Sequence, residues 1–340
     1  MDANRLVQML TSCKWLDLEA MRDSTVLVTG GTGLVGLNLL KALVAVKGRL
    51  NLRILALVRN AEKASVIFAP FLTQVELVTG DVTEELAVAE DIHYIIHGAS
   101  ITSSKMFVEK PVETIMTSVL GTQNMLELGR KKNVRSMVFL SSMEVYGTPE
   151  DEKALKEEDV GYLNPLSLRS SYPESKRMCE SLCVAYASEY NVPVKIARLA
   201  QTFGPGMHPG DQRAIVQFLG SALQNKNIEI KASGESARMY LYTFDAVTAL
   251  LTLLLRGEAG EAYNVANRDT YCSIRALAEA IVEVVGSDSQ VLVNTGTEEE
   301  RRIYPPDSYL CLDTSKIQQL GWTPRYSLQE SIAGLIKYLK

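Results

Sequence analysis

"TVLVTGGTGLVGLNLLKALVAV", residues 25–46, decides the fold. A β-branched apolar run enters a turn with glycines at 30, 33 and 36 and leaves it as an apolar helix. Glycine permits the tight turn, lets the backbone approach a pyrophosphate, and allows the helix to pack closely on the strand. The helix N-terminus adds N–H donors and positive potential. GxxGxxG alone is weak evidence, and a purely structural turn is the competing reading. Its place between a first strand and a first helix favours a dinucleotide site built from Gly30, Thr32, Gly33, Leu34, Val35 and Gly36.

The same alternation continues downstream. Strands are expected at "TVLVTG" (25–30), "LRILALV" (52–58), "VELVTG" (75–80), "YIIHGA" (94–99), "SMVFLSS" (136–142) and "PVKIARL" (193–199), each followed by a helical or polar segment. This pattern reads as α/β, a doubly wound parallel sheet with a smaller C-terminal lobe. Residues 1–24 form an N-terminal helical extension and residues 25–200 the dinucleotide-binding domain. Residues 201–340 form mainly a substrate-binding lobe, interleaved with the last elements of the sheet. In that last region "FGPGMHPGD" (203–211), "YPPDSY" (304–309) and "GWTP" (321–324) break up short strands and helices.

Bulk properties exclude several function classes. With 340 residues, 46% hydrophobic and 22% charged, the chain has the composition of a globular protein with a large core. A net charge of −5 disfavours nucleic acid, which requires a basic stripe. The N-terminus carries Asp2, Arg5, Lys14, Asp17 and Glu19 and no apolar core, so no signal or membrane anchor is read there. "AVTALLTLLL" (246–255) is about half of a bilayer span and reads as a buried helix. Five cysteines without a CxxC pair suit a reducing cytoplasm. Cys179 and Cys183, four apart on one helical face, read as packing. No HxH, HExxH or carboxylate cluster has ligand spacing, so no metal is expected.

Several polar residues sit at expected strand ends. Arg59 follows the second strand, where NAD sites place an acid, and a cation there favours a 2′-phosphate and hence NADP. A solvated Arg59 stacking on adenine is the alternative. Asp81, with Val82 beside it, follows the third strand and meets the adenine edge, unless Asp81 or Thr83 is a helix N-cap. Gly98, Ala99 and Ser100 follow the fourth strand beside the expected cofactor, and His97 there reads as structural. Tyr172 and Lys176, in "YPESK", share a helical face. An ammonium beside a phenol stabilises phenolate, which makes tyrosine usable as a base. Ser142, ending the fifth strand, can hydrogen-bond the same substrate hydroxyl. Together the three make a hydride-transfer site.

These residues, with "GDVT", "HGAS", "GTQN", "SSMEVYG", "RLAQTFGPG" and "GESARMYLYTFDAV" in order, resemble the extended short-chain dehydrogenase/reductases that modify nucleotide sugars. The resemblance spans roughly residues 24–335. It implies a Rossmann-like fold, a tightly held and recycled NAD or NADP, transient oxidation of the sugar at carbon 4, and a lobe for the nucleoside diphosphate. It further implies a homodimer formed by pairing the helices of "TIMTSVLGTQNMLELGRK" and "YPESKRMCESLCVAYASEY", both apolar beyond one buried stripe. By the same matching, Ser142, Tyr172 and Lys176 look like the catalytic triad. Arg238 looks like the arginine that meets the phosphates, or else a surface charge. Gln201 and Arg213 stand among the expected substrate contacts.

Glu144 separates the branches. Simple 4-epimerases usually have no carboxylate at its position. "EVYG" and the longer "EEDVGYLNPLSLRSSYPESKR" with "TFGPGMHPGD" are most similar to UDP-glucuronate decarboxylases, and next to sugar 4,6-dehydratases. In this family such a glutamate acts beside the ring once carbon 4 is a ketone. Three positions depart. Met143 replaces the acid of dehydratases and the serine of decarboxylases and argues against dehydration. Ser118 and Gln201 replace asparagines. A loop carboxylate pairing with a nearby Arg or Lys is the alternative for Glu144. A cofactor-binding regulatory or scaffold protein that kept the fold without the chemistry is the competing class.

Overall fold

The computed structural model describes residues 3–86, 88–149, 153–294 and 307–340; "YPPDSY" lies partly outside them, at Tyr304, Pro305 and Pro306. The chain opens with helix α1 (Ala3–Thr11) and then alternates β1 (Thr25–Thr29), α2 (Leu34–Leu50), β2 (Arg53–Val58), α3 (Ala61–Phe68), β3 (Glu76–Thr79) and β4 (Tyr94–His97). It continues with α4 (Ser104–Glu109), α5 (Pro111–Lys131), β5 (Ser136–Ser142), α6 (Ser171–Tyr190) and β6 (Val194–Leu199). The later elements are β7 (Gln201–Phe203), α7 (Ala214–Leu223), β8 (Ile228–Ile230), β9 (Ala237–Tyr242), α8 (Thr243–Arg256) and β10 (Ala262–Val265). Then come β11 (Asn267–Ser273), α9 (Ile274–Val285), β12 (Val291–Val293), β13 (Tyr309–Leu310) and two helices, Ser315–Gln319 and Leu328–Leu339.

Seven strands form the main sheet in the order β10-β6-β5-β4-β1-β2-β3, and every neighbouring pair is parallel. Pleating sends alternate side chains to opposite faces. Val26 and Val28 of β1 join one core with Leu39, Leu40 and Leu43 of α2 and Leu250 and Leu251 of α8. Leu27, between them, joins the other core with Met125 and Leu126 of α5 and Cys179 and Cys183 of α6. The two cysteines are therefore buried packing residues, and all five cysteines are free thiols. α8, the expected buried helix, is covered along nearly its whole length. No helix among the described residues is long and apolar enough to cross a membrane.

The seventh strand, β10, was not legible as one. Asn264 interrupts its apolar run, yet it is fully buried and fully used: it accepts from Tyr146 Oη at 2.6 Å and donates to the carbonyls of Leu155 and Asp313, both at 2.9 Å. A buried amide is tolerated when its donors and acceptor are satisfied. Beyond the main sheet, β9 pairs with β11 on one edge and with β7 and β13 on the other, and β8 pairs with β12. A third core, holding Phe203, Ile215, Leu219, Tyr240, Ile281 and Leu335, binds α7, α9 and the last helix to this second sheet.

Candidate active site

The chain runs from β1 outward to β2 and β3, then returns to place β4 on the other side of β1. Ligands in open α/β sheets bind at such a reversal, beyond the carboxyl ends of the strands. Here the two strand ends meet through glycine. Gly30, at φ 72°, lies so close to the end of β4 that a Cβ on it would fall 2.6 Å from the Gly98 carbonyl carbon. A Cβ on Gly36 would strike the Gly30 backbone, with its carbonyl carbon at 2.8 Å. Thr29 Oγ1 accepts from the N–H groups of Gly98 and Ala99 at 3.2 and 3.1 Å, tying the two ends together. No side chain caps α2 at Gly33, so its first N–H groups are left available to an anion. Thr32, Leu34 and Val35 complete this turn. A dinucleotide pyrophosphate fits it.

Arg59 leaves β2 exposed, and Asp81 follows β3. Asp81 caps no helix: its carboxylate accepts from the backbone and hydroxyl of Thr83 at 2.9 and 2.8 Å, closing a turn. Those hydrogen bonds, from the backbone first, hold its pKa below the usual carboxylate range, and the charge of Arg59 adds to them. Val82 is buried against Gly121 of α5. Ser100 Oγ and Ser118 Oγ are 3.0 Å apart, so the serine that replaces asparagine is a buried partner of the β4 end. His97 bridges Thr29 Oγ1 at 2.7 Å and Thr122 Oγ1 at 3.4 Å. Complete burial pushes its pKa down to about 3, and the Lys176 charge acts the same way. It is a neutral structural histidine.

β5 delivers Ser142 to its carboxyl end, and a 3₁₀ turn, Met143–Tyr146, follows at once. Ser142 Oγ caps this turn by accepting from Glu144 N at 3.2 Å. Met143, Val145 and Tyr146 anchor it in the core, and Glu144 alone stays half-buried. Met143 is thus a packing residue. Tyr172 and Lys176 lie on the first turns of α6, both buried. Burial raises the Tyr172 pKa, and the Glu144 charge raises it further; the Ser142 hydrogen bond and the Arg169 charge pull it back. Lys176 has its pKa lowered by burial. Its Nζ donates to Leu140 O at 2.8 Å and lies 5.8 Å from the Tyr172 ring centre.

Ser142, Glu144, Tyr172 and Lys176 are therefore brought together. Two neighbours were missed in the sequence. Phe107 of α4 stacks on Tyr172 with ring centres 4.3 Å apart and planes 7° from parallel. Arg169, in the 3₁₀ turn before α6, pairs with Glu144 at 2.7 Å and lies over the Phe107 ring, 4.7 Å from its centre. The signal for Arg169 was its place three residues before Tyr172.

The remaining expected contacts divide. Arg238 and Gln201, on neighbouring strands β9 and β7, approach to 3.5 Å. Arg238 Nε is buried and has no hydrogen-bond partner among the described residues, a donor that an anionic ligand or a water would satisfy. Arg213 pairs with Asp211 at 2.7 Å and donates to Thr202 O at 2.9 Å, contacts that fix the direction of its guanidinium. Among the described residues no group of three or more His, Cys, Asp or Glu is placed to hold a metal ion.

Comparison with known proteins agrees with this architecture. Residues 26–266 match the NAD dependent epimerase/dehydratase family. UDP-glucuronic acid decarboxylase 1 of Xenopus tropicalis is 31% identical over 315 residues, 93% of this chain and 72% of that protein. UDP-glucuronic acid decarboxylase 6 of Arabidopsis thaliana is 29% identical over 321 residues, 90% and 86% of the two chains. A solved UDP-glucose 4-epimerase from Thermotoga maritima superposes with a TM-score of 0.78 at 22% identity, covering 92% of this chain and 98% of its own, a likeness of fold. The chain belongs to the NAD dependent epimerase/dehydratase family.

Proposed function

We propose that the protein modifies a nucleotide sugar by transient oxidation at carbon 4, and that its reaction is the decarboxylation of UDP-glucuronate. The observation that carries this reading is the Glu144 carboxylate at the mouth of β5, close enough for its charge to act on the Tyr172 phenol. The relatives named above and the long match around "EEDVGYLNPLSLRSSYPESKR" support it. Nucleotide-sugar 4-epimerase is the second reading, because the Ser142, Tyr172 and Lys176 arrangement serves both. A sugar 4,6-dehydratase stands third, since buried Met143 supplies no acid for a leaving hydroxyl.

When bound, the nicotinamide accepts a hydride from carbon 4 and later returns it. The protein's residues move the proton. Tyr172, as phenolate, takes it from the carbon 4 hydroxyl, with Ser142 holding the same oxygen. The resulting ketone lies β to the carboxylate at carbon 5. When that carbon–carbon bond breaks, its electron pair enters the ketone, and the Tyr172 and Ser142 hydroxyls stabilise the enolate oxygen. A proton from solvent water, passed to carbon 5 beside the Glu144 carboxylate, completes the exchange of carbon dioxide for hydrogen. Arg238 and Gln201 receive the diphosphate. The test is incubation with UDP-glucuronate: carbon dioxide and a UDP-pentose support the reading, and return of a hexuronate epimer alone replaces it with the 4-epimerase.

Two further assignments carry their own expectations. Arg59 selects NADP over NAD by meeting the 2′-phosphate, so Arg59→Asp should reverse the preference by about tenfold or more, the loss of one charge-assisted contact. Equal affinities before and after, measured by titration, would reduce Arg59 to a solvated side chain. The second concerns assembly. Val112, Ile115 and Met116 on α5 and Met178, Val184 and Tyr190 on α6 are exposed apolar residues on two helices that pack side by side. A homodimer burying them as a four-helix bundle is expected, and light scattering at micromolar concentration should report twice the chain mass of 37.5 kDa.

A further inference from the structure

Arg169 has a placement that the proposed chemistry leaves unexplained. Its Nη2 donates to Glu144 Oε2 at 2.7 Å, and among the described residues this is its one hydrogen-bond acceptor. Its guanidinium lies over the Phe107 ring, 4.7 Å from its centre, and that ring also stacks on Tyr172. Stacking on an aromatic face fixes the plane of a guanidinium without using its N–H groups. The side chain is 42% exposed, which leaves the rest of its donor fork open. The other cations around Tyr172 are engaged elsewhere: Lys176 donates to Leu140 O, and Arg177 to Val145 O and Gly161 O.

A glucuronate carries its carboxylate on carbon 5, one bond from the carbon whose hydroxyl must reach Tyr172. The substrate's carboxylate therefore enters next to the Glu144 carboxylate. Two anions this close repel unless a cation lies between them. Arginine has five donors, and one carboxylate accepts at most two in a bidentate contact, so a single guanidinium can bridge two carboxylates. We propose that Arg169 is the specificity-determining residue for the sugar's carboxylate, clamping it beside Glu144. This rests on the decarboxylase reading. It predicts discrimination between a nucleotide uronate and the corresponding neutral nucleotide sugar, which has the same carbon 4 hydroxyl and no charge on carbon 5.

The experiment compares the full chain, loaded with its dinucleotide, on UDP-glucuronate and on UDP-glucose. Absorbance near 340 nm follows cofactor reduction in a single turnover. Arg169→Gln is expected to lose at least about tenfold more of its rate per substrate concentration on UDP-glucuronate than on UDP-glucose, the size of one charged hydrogen bond. Equal losses on both substrates overturn the proposal. A second arm separates direct contact from action through Glu144. In a Glu144→Gln background, Arg169→Gln should still lower the discrimination; no further change there means that Arg169 only supports Glu144, and also overturns it. Should the glutamine variant lose its bound dinucleotide, Arg169→Lys carries the test. It keeps the charge without the fork, and a discrimination equal to that of the unmodified protein counts against the clamp. Failure of the decarboxylase reading is distinct, because it shows as no carbon dioxide from UDP-glucuronate with the unmodified protein.

Discussion

Tyr172→Phe abolishes turnover of every nucleotide sugar, by about a thousandfold or more, while fold and bound dinucleotide persist. Phenylalanine fills the same buried volume and keeps the stack on Phe107, so packing changes little. What disappears is the one oxygen positioned to take the carbon 4 proton. The sign of the pH dependence follows from the environment. Burial and the Glu144 charge both raise the Tyr172 pKa, so the base form is scarce at low pH and cofactor reduction should accelerate as pH rises. The phenylalanine variant should lose that dependence together with the rate. Stopped-flow absorbance near 340 nm and a thermal unfolding curve separate chemistry from stability. Retention of more than a few per cent of turnover, with an unchanged melting midpoint, would remove Tyr172 from the role of base.

Much of this site was readable in the sequence because its chemistry sits where an apolar run stops. β1 and β5 end within a residue of the expected boundaries, and both deliver their functional residues, Gly30 and Ser142, at or just past the strand end. Tyr172 and Lys176 were readable for a different reason, since a spacing of four on a helix fixes a shared face whatever surrounds it. β10 was hidden by Asn264, whose burial makes sense only after Tyr146, Leu155 and Asp313 close around it. Phe107 was hidden too. It reaches Tyr172 from a segment 65 residues earlier, and a six-residue helix such as α4 has too few turns to show a periodic face. Arg213 was readable as a cation in a Gly- and Pro-rich loop, but its pairing with Asp211, two residues away, was not. Local charge pairing of that kind leaves no trace in a motif.

Glu144→Gln is the sharper experiment, because the ion pair with Arg169 gives the carboxylate a structural occupation that competes with a chemical one. The two predict different things. Both side chains of the pair are partly exposed, so as a bridge alone it is worth at most about 1 kcal/mol, and glutamine can still accept from Arg169. On that account the variant melts slightly earlier and cycles normally. If the carboxylate works on the ketone, hydride still leaves carbon 4 but the following step slows by roughly a hundredfold or more, the scale of lost acid–base assistance. Reduced dinucleotide then accumulates, and absorbance near 340 nm rises and stays high instead of decaying. With UDP-glucuronate, carbon dioxide release falls in parallel. The pH profile supplies an independent check. Removing a negative charge that opposes phenolate formation lowers the Tyr172 pKa, so the acid limb for cofactor reduction should move to lower pH. A variant that cycles as before with every nucleotide sugar tried leaves Glu144 a loop anchor. The plain 4-epimerase would then be the better account, since returning the hydride to the opposite face of a ketone requires only Ser142, Tyr172, Lys176 and room for the sugar to turn.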